Sequence, residues 1–277
     1  MFVATALALG AAVLHAGWNL RVKQSADRWL ALWGMCVAGG VIGFPYALAA
    51  TLSGDLGWSA WGWAAASGVV HTFYFGRLGH TYDVADFSVT YPIARGAGAL
   101  FAAIGGVLFL SDRLSAISMI GILVVVGGLV LLSGHVRWSL VWPALVVATL
   151  IGTYTVIDSK GSRSTTGSAY AMSIFVTGGI GTTVHGVLRR RWKEMRASVP
   201  SMWHQYVVTG AISLVTYWMV LLAVRRAPVG YVTALRESSV VFAALIGWRV
   251  LKEGSGPRRL ISSLVMVIGL LTLIVGR

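Results

Sequence analysis

Charge is what this chain of 277 residues has least of. Asp, Glu, Lys and Arg together make up 11% of it, where a soluble domain carries about a quarter. Hydrophobic residues make up 57%, and the mean hydropathy is +0.77. That leaves too little polar surface to cover a water-soluble globule, and it points to an integral membrane protein. Cysteine is nearly absent: Cys36 stands alone inside an apolar run, which rules out a disulfide framework within the chain. The first apolar stretch, "MFVATALALGAAVLHAGWN", lacks a basic region ahead of it and a clear cleavage pattern before Trp18. It reads as a retained first span rather than a removed signal peptide. Neither an HExxH motif nor a nucleotide-binding loop occurs, so no metal and no cofactor are expected. The acid pair in "DVAD" at 83–86 suggests metal-diphosphate chemistry, but that chemistry needs two acid-rich sites. An intramembrane enzyme is therefore a rival reading without a second motif behind it.

The charge that is present is lopsided, with 22 Lys and Arg against 9 Asp and Glu and a net charge of +13. Most of the basic residues stand in short connections between apolar runs, as in "RRRWKEMR" at 189–196. Cations so placed orient membrane spans and meet anionic headgroups. The expected partner is the lipid bilayer, not nucleic acid.

A span needs about 20 mainly apolar residues. Runs of that kind fall at 2–20, 29–51, 58–79, 85–110, 114–134, 138–158, 168–188, 203–224, 228–250 and 257–276. The expectation is an all-α integral membrane protein of ten transmembrane helices. Orientation follows from the cations in the connections. Arg21, Lys23, Arg28, Arg77, Arg137, Arg189, Arg190, Arg191, Lys193, Arg196, Lys252, Arg258 and Arg259 fall on one face. Arg113, Lys160, Arg163, Arg225, Arg226 and Arg277 fall on the other. By this count both termini lie outside the cytoplasm and loop 189–196 lies inside it.

Sliding the chain by 141 residues aligns "RGAGALFAAIGGVLFLSD" (95–112) with "RESSVVFAALIGWRVLKE" (236–253) and places Gly128 on Gly269. Arg95 falls on Arg236, and Asp112 on Glu253. A shifted register matches "HAGWNLRVKQ" at 15–24 with "IGTYTVIDSK" at 151–160, so that Tyr154 is the counterpart of Trp18. The expected units are therefore 1–135 and 138–277, each of five helices. Five is odd, so the second copy enters the membrane from the opposite side. The result is a 5+5 inverted repeat, which in transporters places the substrate site near the midplane, where the halves meet.

Three stretches carry a resemblance: "HAGWN" in the first span, "YDVADFSVTYPIARG" entering the fourth and "APVGYVTALRESSVVFAALIG" in the ninth. Together they resemble the EamA-type permeases of the drug/metabolite transporter superfamily, most closely a bacterial branch with HAxWN, YPxARG and RExSVxFAAxIG motifs. The resemblance covers essentially the whole chain. It implies a multi-pass protein of the bacterial inner (plasma) membrane, with a cavity lined mainly by helices 1, 3, 4, 6, 8 and 9 that opens alternately to each side. It also implies a homodimer through helices 5 and 10, and termini in the cytoplasm, opposite to the charge count.

An arginine at the centre of a span costs about 2.5–3.5 kcal/mol on insertion scales. Arg95 and Arg236 lie roughly 14 Å into their helices at 1.5 Å per residue. One reading is an anion-binding pair facing the cavity, suited to carboxylate or phosphonate by its forked geometry. The other is structural, with each arginine capping carbonyls or pairing with a nearby acid, such as Arg95 with Glu237. Glu237 points about 100° away from Arg236. It is a counter-charge for a substrate amine, a proton-coupling site, or the fixed partner of Arg95. His15, Trp18 and Asn19 share a face of the first helix, and Tyr91 stands one turn before Arg95. His71 and Tyr74 share a face of the third helix, with Tyr154 and Tyr217 as further candidate wall residues. The glycines read as close helix packing. The function expected is a secondary transporter, an exporter or permease, of a small polar anionic or zwitterionic metabolite. Proton-coupled efflux of cationic drugs is the main alternative.

Overall fold

A computed structural model describes residues 1–84, 87–133, 138–165, 169–239 and 257–276. Inside these ranges the side chains of 23, 79, 80, 82–84, 87–92, 132, 133, 138, 140 and 257–260 lie outside the description. Tyr91 is among those side chains. The "DVAD" pair, Arg137, Lys252, Glu253, the basic pair Arg258 and Arg259, and Arg277 likewise fall outside it.

Among the described residues all regular elements are helices, ten of them. They are α1 (Phe2–Lys23), α2 (Arg28–Leu52), α3 (Trp58–Val84), α4 (Phe87–Leu110) and α5 (Ala116–Ser133), then α6 (Trp138–Arg163), α7 (Tyr170–Leu188), α8 (Trp192–Val224), α9 (Val229–Arg236) and α10 (Pro257–Val275). Among the described residues the number of helices agrees with the ten expected. Six of the ten, α1, α2, α4, α6, α7 and α8, are long and apolar enough to cross a membrane on their described residues. α3 has the length, but His71 and Arg77 dilute its hydropathy.

Several helices run further than their apolar runs, α1 to Lys23 and α3 to Val84 among them, and two of the extensions bear on the site. α6 continues to Arg163 rather than stopping at 158, which draws Asp158 inside the helix. α8 starts at Trp192 rather than at 203. Its extra turns, "WKEMRASVPS", open with the good helix formers Lys193, Glu194, Met195, Arg196 and Ala197, run on through Pro200, and carry too many charges to register as a span. At 33 residues the helix is about 50 Å long, well beyond the ~30 Å hydrocarbon core. The connection before it is a tight reversal. Arg190 adopts a left-handed φ of 59°, and the N–H groups of Arg190 and Arg191 donate to the carbonyls of Val187 and Gly186 at 2.9 Å, closing the end of α7.

Size sorts these helices from inside to outside. Ala4, Ala8, Ala11 and Ala12 form the buried stripe of α1, whereas Phe44, Phe73, Leu108, Phe109, Leu264 and Leu271 are exposed. Lipid is as apolar as leucine, so large side chains gain little by hiding from it. Small ones gain by letting backbones approach. At the α5–α10 contact the closeness is reciprocal. A Cβ on Gly121 would lie 3.0 Å from the Gly269 carbonyl, and one on Gly269 would lie 3.0 Å from the Gly121 carbonyl.

The packing follows a pattern. α1 lies on α8 and α9, and α6 lies on α3 and α4. α2 meets α8, and α7 meets α3. Three further pairs, α2 with α7, α4 with α9 and α5 with α10, pack directly. Buried ionisable residues, His15, Asp158, Arg236 and Glu237 among them, collect where α1, α6 and α9 converge with α3 and α8.

Candidate functional site

At that convergence lies a cavity walled by His15 and Trp18 of α1, His71, Tyr74 and Phe75 of α3, and Tyr154 of α6. Phe175 of α7, Tyr217 of α8 and Arg236 of α9 complete it, with Met35, Cys36, Ser213 and Thr216 between them. Seven of the expected residues are thus brought together: His15, Trp18, His71, Tyr74, Tyr154, Tyr217 and Arg236. Asn19 is half-buried and lies off the wall. Helical spacing accounts for the grouping. Residues i, i+3 and i+4 share a face, so His15 and Trp18 come inward together, as do His71, Tyr74 and Phe75.

The rings interlock. His71 stacks on Tyr154 with centroids 4.1 Å apart, and Tyr74 and Tyr217 approach it edge-on at 6.3 and 5.9 Å. His15 meets Trp18 edge-on at 4.6 Å. The Nδ1 atom of His71 lies 3.0 Å from the Ser67 hydroxyl and 3.0 Å from the Ser67 carbonyl, one turn back, which fixes the imidazole plane. The space these residues line is about 60 Å³, counted by where the centre of a water fits, room for a few waters.

The two arginines have separate fates. Both are buried, at 3% exposure for Arg95 and 4% for Arg236. Arg95 reaches across from α4 to Glu237, with Nε donating to Oε2 at 3.1 Å and a terminal nitrogen 2.8 Å from Oε1. That is the structural alternative weighed for both residues, realised for one of them. Because Glu237 and Arg236 are neighbours on a helix, sending the carboxylate to Arg95 turns the Arg236 guanidinium the other way, onto the cavity wall. There its Nε is buried with no acceptor among the described residues, and so is the indole Nε1 of Trp18. Buried donors are almost always satisfied. Two unmet ones on one wall mark a place for an acceptor.

At the end of the bundle that holds the α4–α5 connection, Asp112 ties three elements. Its Oδ1 accepts from Arg163 of α6 at 2.7 Å, and its Oδ2 accepts from the backbone N–H of Val229, opening α9, at 2.6 Å. Arg163 also donates through Nε to the Val224 carbonyl at 2.9 Å. Through these contacts the end of α6 is joined to the α8–α9 turn.

One buried acid stands outside the sequence expectations. Asp158 is completely buried in α6, one turn beyond Tyr154. Its signal lies in "TYTVIDSK", an acid four residues after an inward-facing tyrosine. It reads as a boundary residue as long as the helix is taken to end at 158.

Residues 138–275 match the family model described as the EamA-like transporter family. The chain belongs to the EamA-like transporter family. It is a multi-pass membrane transporter of the drug/metabolite type. A solved structure described only as "Crystal structure of protein" superposes with a TM-score of 0.75 at 17% identity, covering 99% of this chain and 98% of that one. At that identity the likeness is one of fold. No curated protein gives a significant match.

Proposed function

We propose that this permease carries a small polar metabolite with an anionic group, as an anion or a zwitterion, by alternating access to the cavity described above. One observation carries the reading. Arg236 stands buried on the cavity wall with its Nε unmet, while the other central cation is already neutralised by Glu237. A carboxylate or phosphonate fits the guanidinium fork, and the Trp18 indole N–H supplies a further donor. His71, Tyr74, Tyr154 and Tyr217 form the rest of the wall. The present cavity holds only a few waters, so a metabolite enters when the walls part.

The 5+5 inverted repeat supports such a cycle. Replacing each helix by the one five places along turns the α1–α8 contact into α6–α3 and the α2–α8 contact into α7–α3, and both occur. The family match begins at 138, where the second unit, 138–277, is expected to start after 1–135. On this reading the Asp112–Arg163 cluster closes the cavity at the end away from loop 189–196. That loop faces the cytoplasm of a bacterium, since translocating its cations opposes the membrane potential. The paired α5 and α10, with Ile120, Leu123, Leu264 and Leu271 turned outward, offer the surface for a homodimer.

Flux into proteoliposomes tests the reading, using amino acids, aminophosphonates, sugar acids and cationic drugs as probes. An anionic or zwitterionic probe is expected to move. Arg236→Lys, which keeps the charge and loses the fork, is expected to weaken it by about tenfold to a hundredfold, the worth of one to two charge-assisted bonds. A cationic drug carried equally well by wild type and Arg236→Lys would overturn the substrate class. That outcome has its own support in the aromatic walls and in the buried acid Asp158 behind them.

A further inference from the structure

We propose that Asp158 is a proton-binding site of this transporter, and that its protonation is read out in the cavity through Tyr217. The use of the proton rests on the transport reading above; the binding of the proton does not.

The Asp158 carboxyl is 0% exposed, and among the described residues no cation lies within ion-pair distance of it. Its neighbours are neutral hydroxyls. Tyr217 of α8 donates to Oδ2, and Tyr170 of α7 donates to Oδ1 at 3.3 Å. The Ser67 hydroxyl of α3 also acts on the carboxyl, and it lies 3.0 Å from Nδ1 of His71. Tyr154 stands one turn back on the same helix, and Arg236 of α9 is the charge that acts on Asp158. The site is built to be tight: a Cβ at Gly161 would sit 2.1 Å from the Tyr170 ring, so a glycine is what admits that phenol.

A carboxylate held this way accepts from both phenols, Tyr217 and Tyr170. When a proton from water binds, one oxygen becomes a donor, and a phenol that pointed its O–H at that oxygen must turn it elsewhere. Tyr217 is the phenol that also lines the cavity. Protonation of Asp158 therefore changes the hydrogen-bonding character of the cavity wall. It does so from a position behind the wall, where substrate need not touch the acid.

Two measurements on the full-length protein test proton binding without any substrate. The first treats wild-type protein in lipid with a hydrophobic carbodiimide, which reacts with protonated carboxyls, and reads adducts by mass spectrometry. An adduct on Asp158 that declines as pH rises is expected. Absence of that adduct at every pH, or an adduct confined to Glu237, overturns the proposal. The second follows the carbonyl stretch of protonated carboxyls by infrared difference spectroscopy. A titrating band is expected in wild type and in Tyr217→Phe, shifted in the latter, and lost in Asp158→Asn. A band unchanged in Asp158→Asn overturns it. In proteoliposomes, Asp158→Asn is expected to retain downhill exchange of 2-aminoethylphosphonate and lose its dependence on an imposed pH gradient. Dependence equal to that of wild type would remove Asp158 from coupling. Absence of flux in wild type itself would count against the transport reading and leave the carbodiimide and infrared results to decide proton binding.

Discussion

Arg95 and Arg236 stand at matching positions of the two aligned stretches, are equally buried, and live differently. Arg95 is locked to Glu237 by two contacts; Arg236 ends on a cavity wall with a nitrogen unmet. Two aligned stretches thus carry one cation held in an ion pair and one left open to the cavity. What separates them is a single acid. The position after Arg236 is Glu237, whereas the position after Arg95 is Gly96, so only one of the aligned stretches brings a carboxylate there, and that carboxylate meets the other stretch's arginine.

The largest expected effect comes from breaking the pair. Glu237→Gln takes from the buried Arg95 its carboxylate partner, and removing one partner of such a pair costs about 3–5 kcal/mol. Thermal unfolding of the detergent-solubilised variant checks this. A loss below about 1 kcal/mol would mean that Arg95 is held by something other than Glu237, and the contrast between the two arginines would collapse.

The opposite sign is expected at the other arginine. Arg236→Gln strands no acid, because none lies within ion-pair distance of it among the described residues, and it removes the cost of keeping a charge in the interior. Stability is expected to hold or to rise by up to about 2 kcal/mol, while thermal stabilisation by anionic ligands disappears. Destabilisation comparable to that of Glu237→Gln would show Arg236 to be structural after all.

Much of this is legible in the amino-acid order. The helix count follows from apolar runs, and the wall residues follow from polar and aromatic side chains at helical spacing, because a span has few reasons to carry histidine or paired tyrosines. The partition of the arginines is not legible there. Spacing shows that Arg236 and Glu237 point apart, but which one faces the cavity depends on how α4 and α9 meet. Asp158 escapes notice for a related reason: hydropathy ends a span at the first charge, and hydrogen bonding carries the helix on to Arg163. The start of α8 is misplaced in the same way, since the charged turn 193–196 that opens the helix is invisible to a hydropathy window.

The smallest effect tests whether burial, rather than the ion pair as such, makes the interior pair strong. Arg191 at the start of α8 contacts Asp27, and it also lies 2.6 Å from Glu194. The acids are partly exposed there, at 37% and 56%. Water and salt screen such pairs, and exposed ones are worth about 0.2–1 kcal/mol. Asp27 has a second task, since its Oδ1 caps α2 by accepting from the Leu30 N–H at 2.9 Å. The two roles separate by substitution. Asp27→Asn keeps a capping oxygen and loses the charge, so a cost of at most about 1 kcal/mol is expected, fading as salt is raised. Asp27→Ala loses the cap as well and is expected to cost about 1 kcal/mol more, independent of salt. If Asp27→Asn instead approached the cost of Glu237→Gln, the surface pair would be as strong as the buried one. Burial could then no longer be what distinguishes the central site.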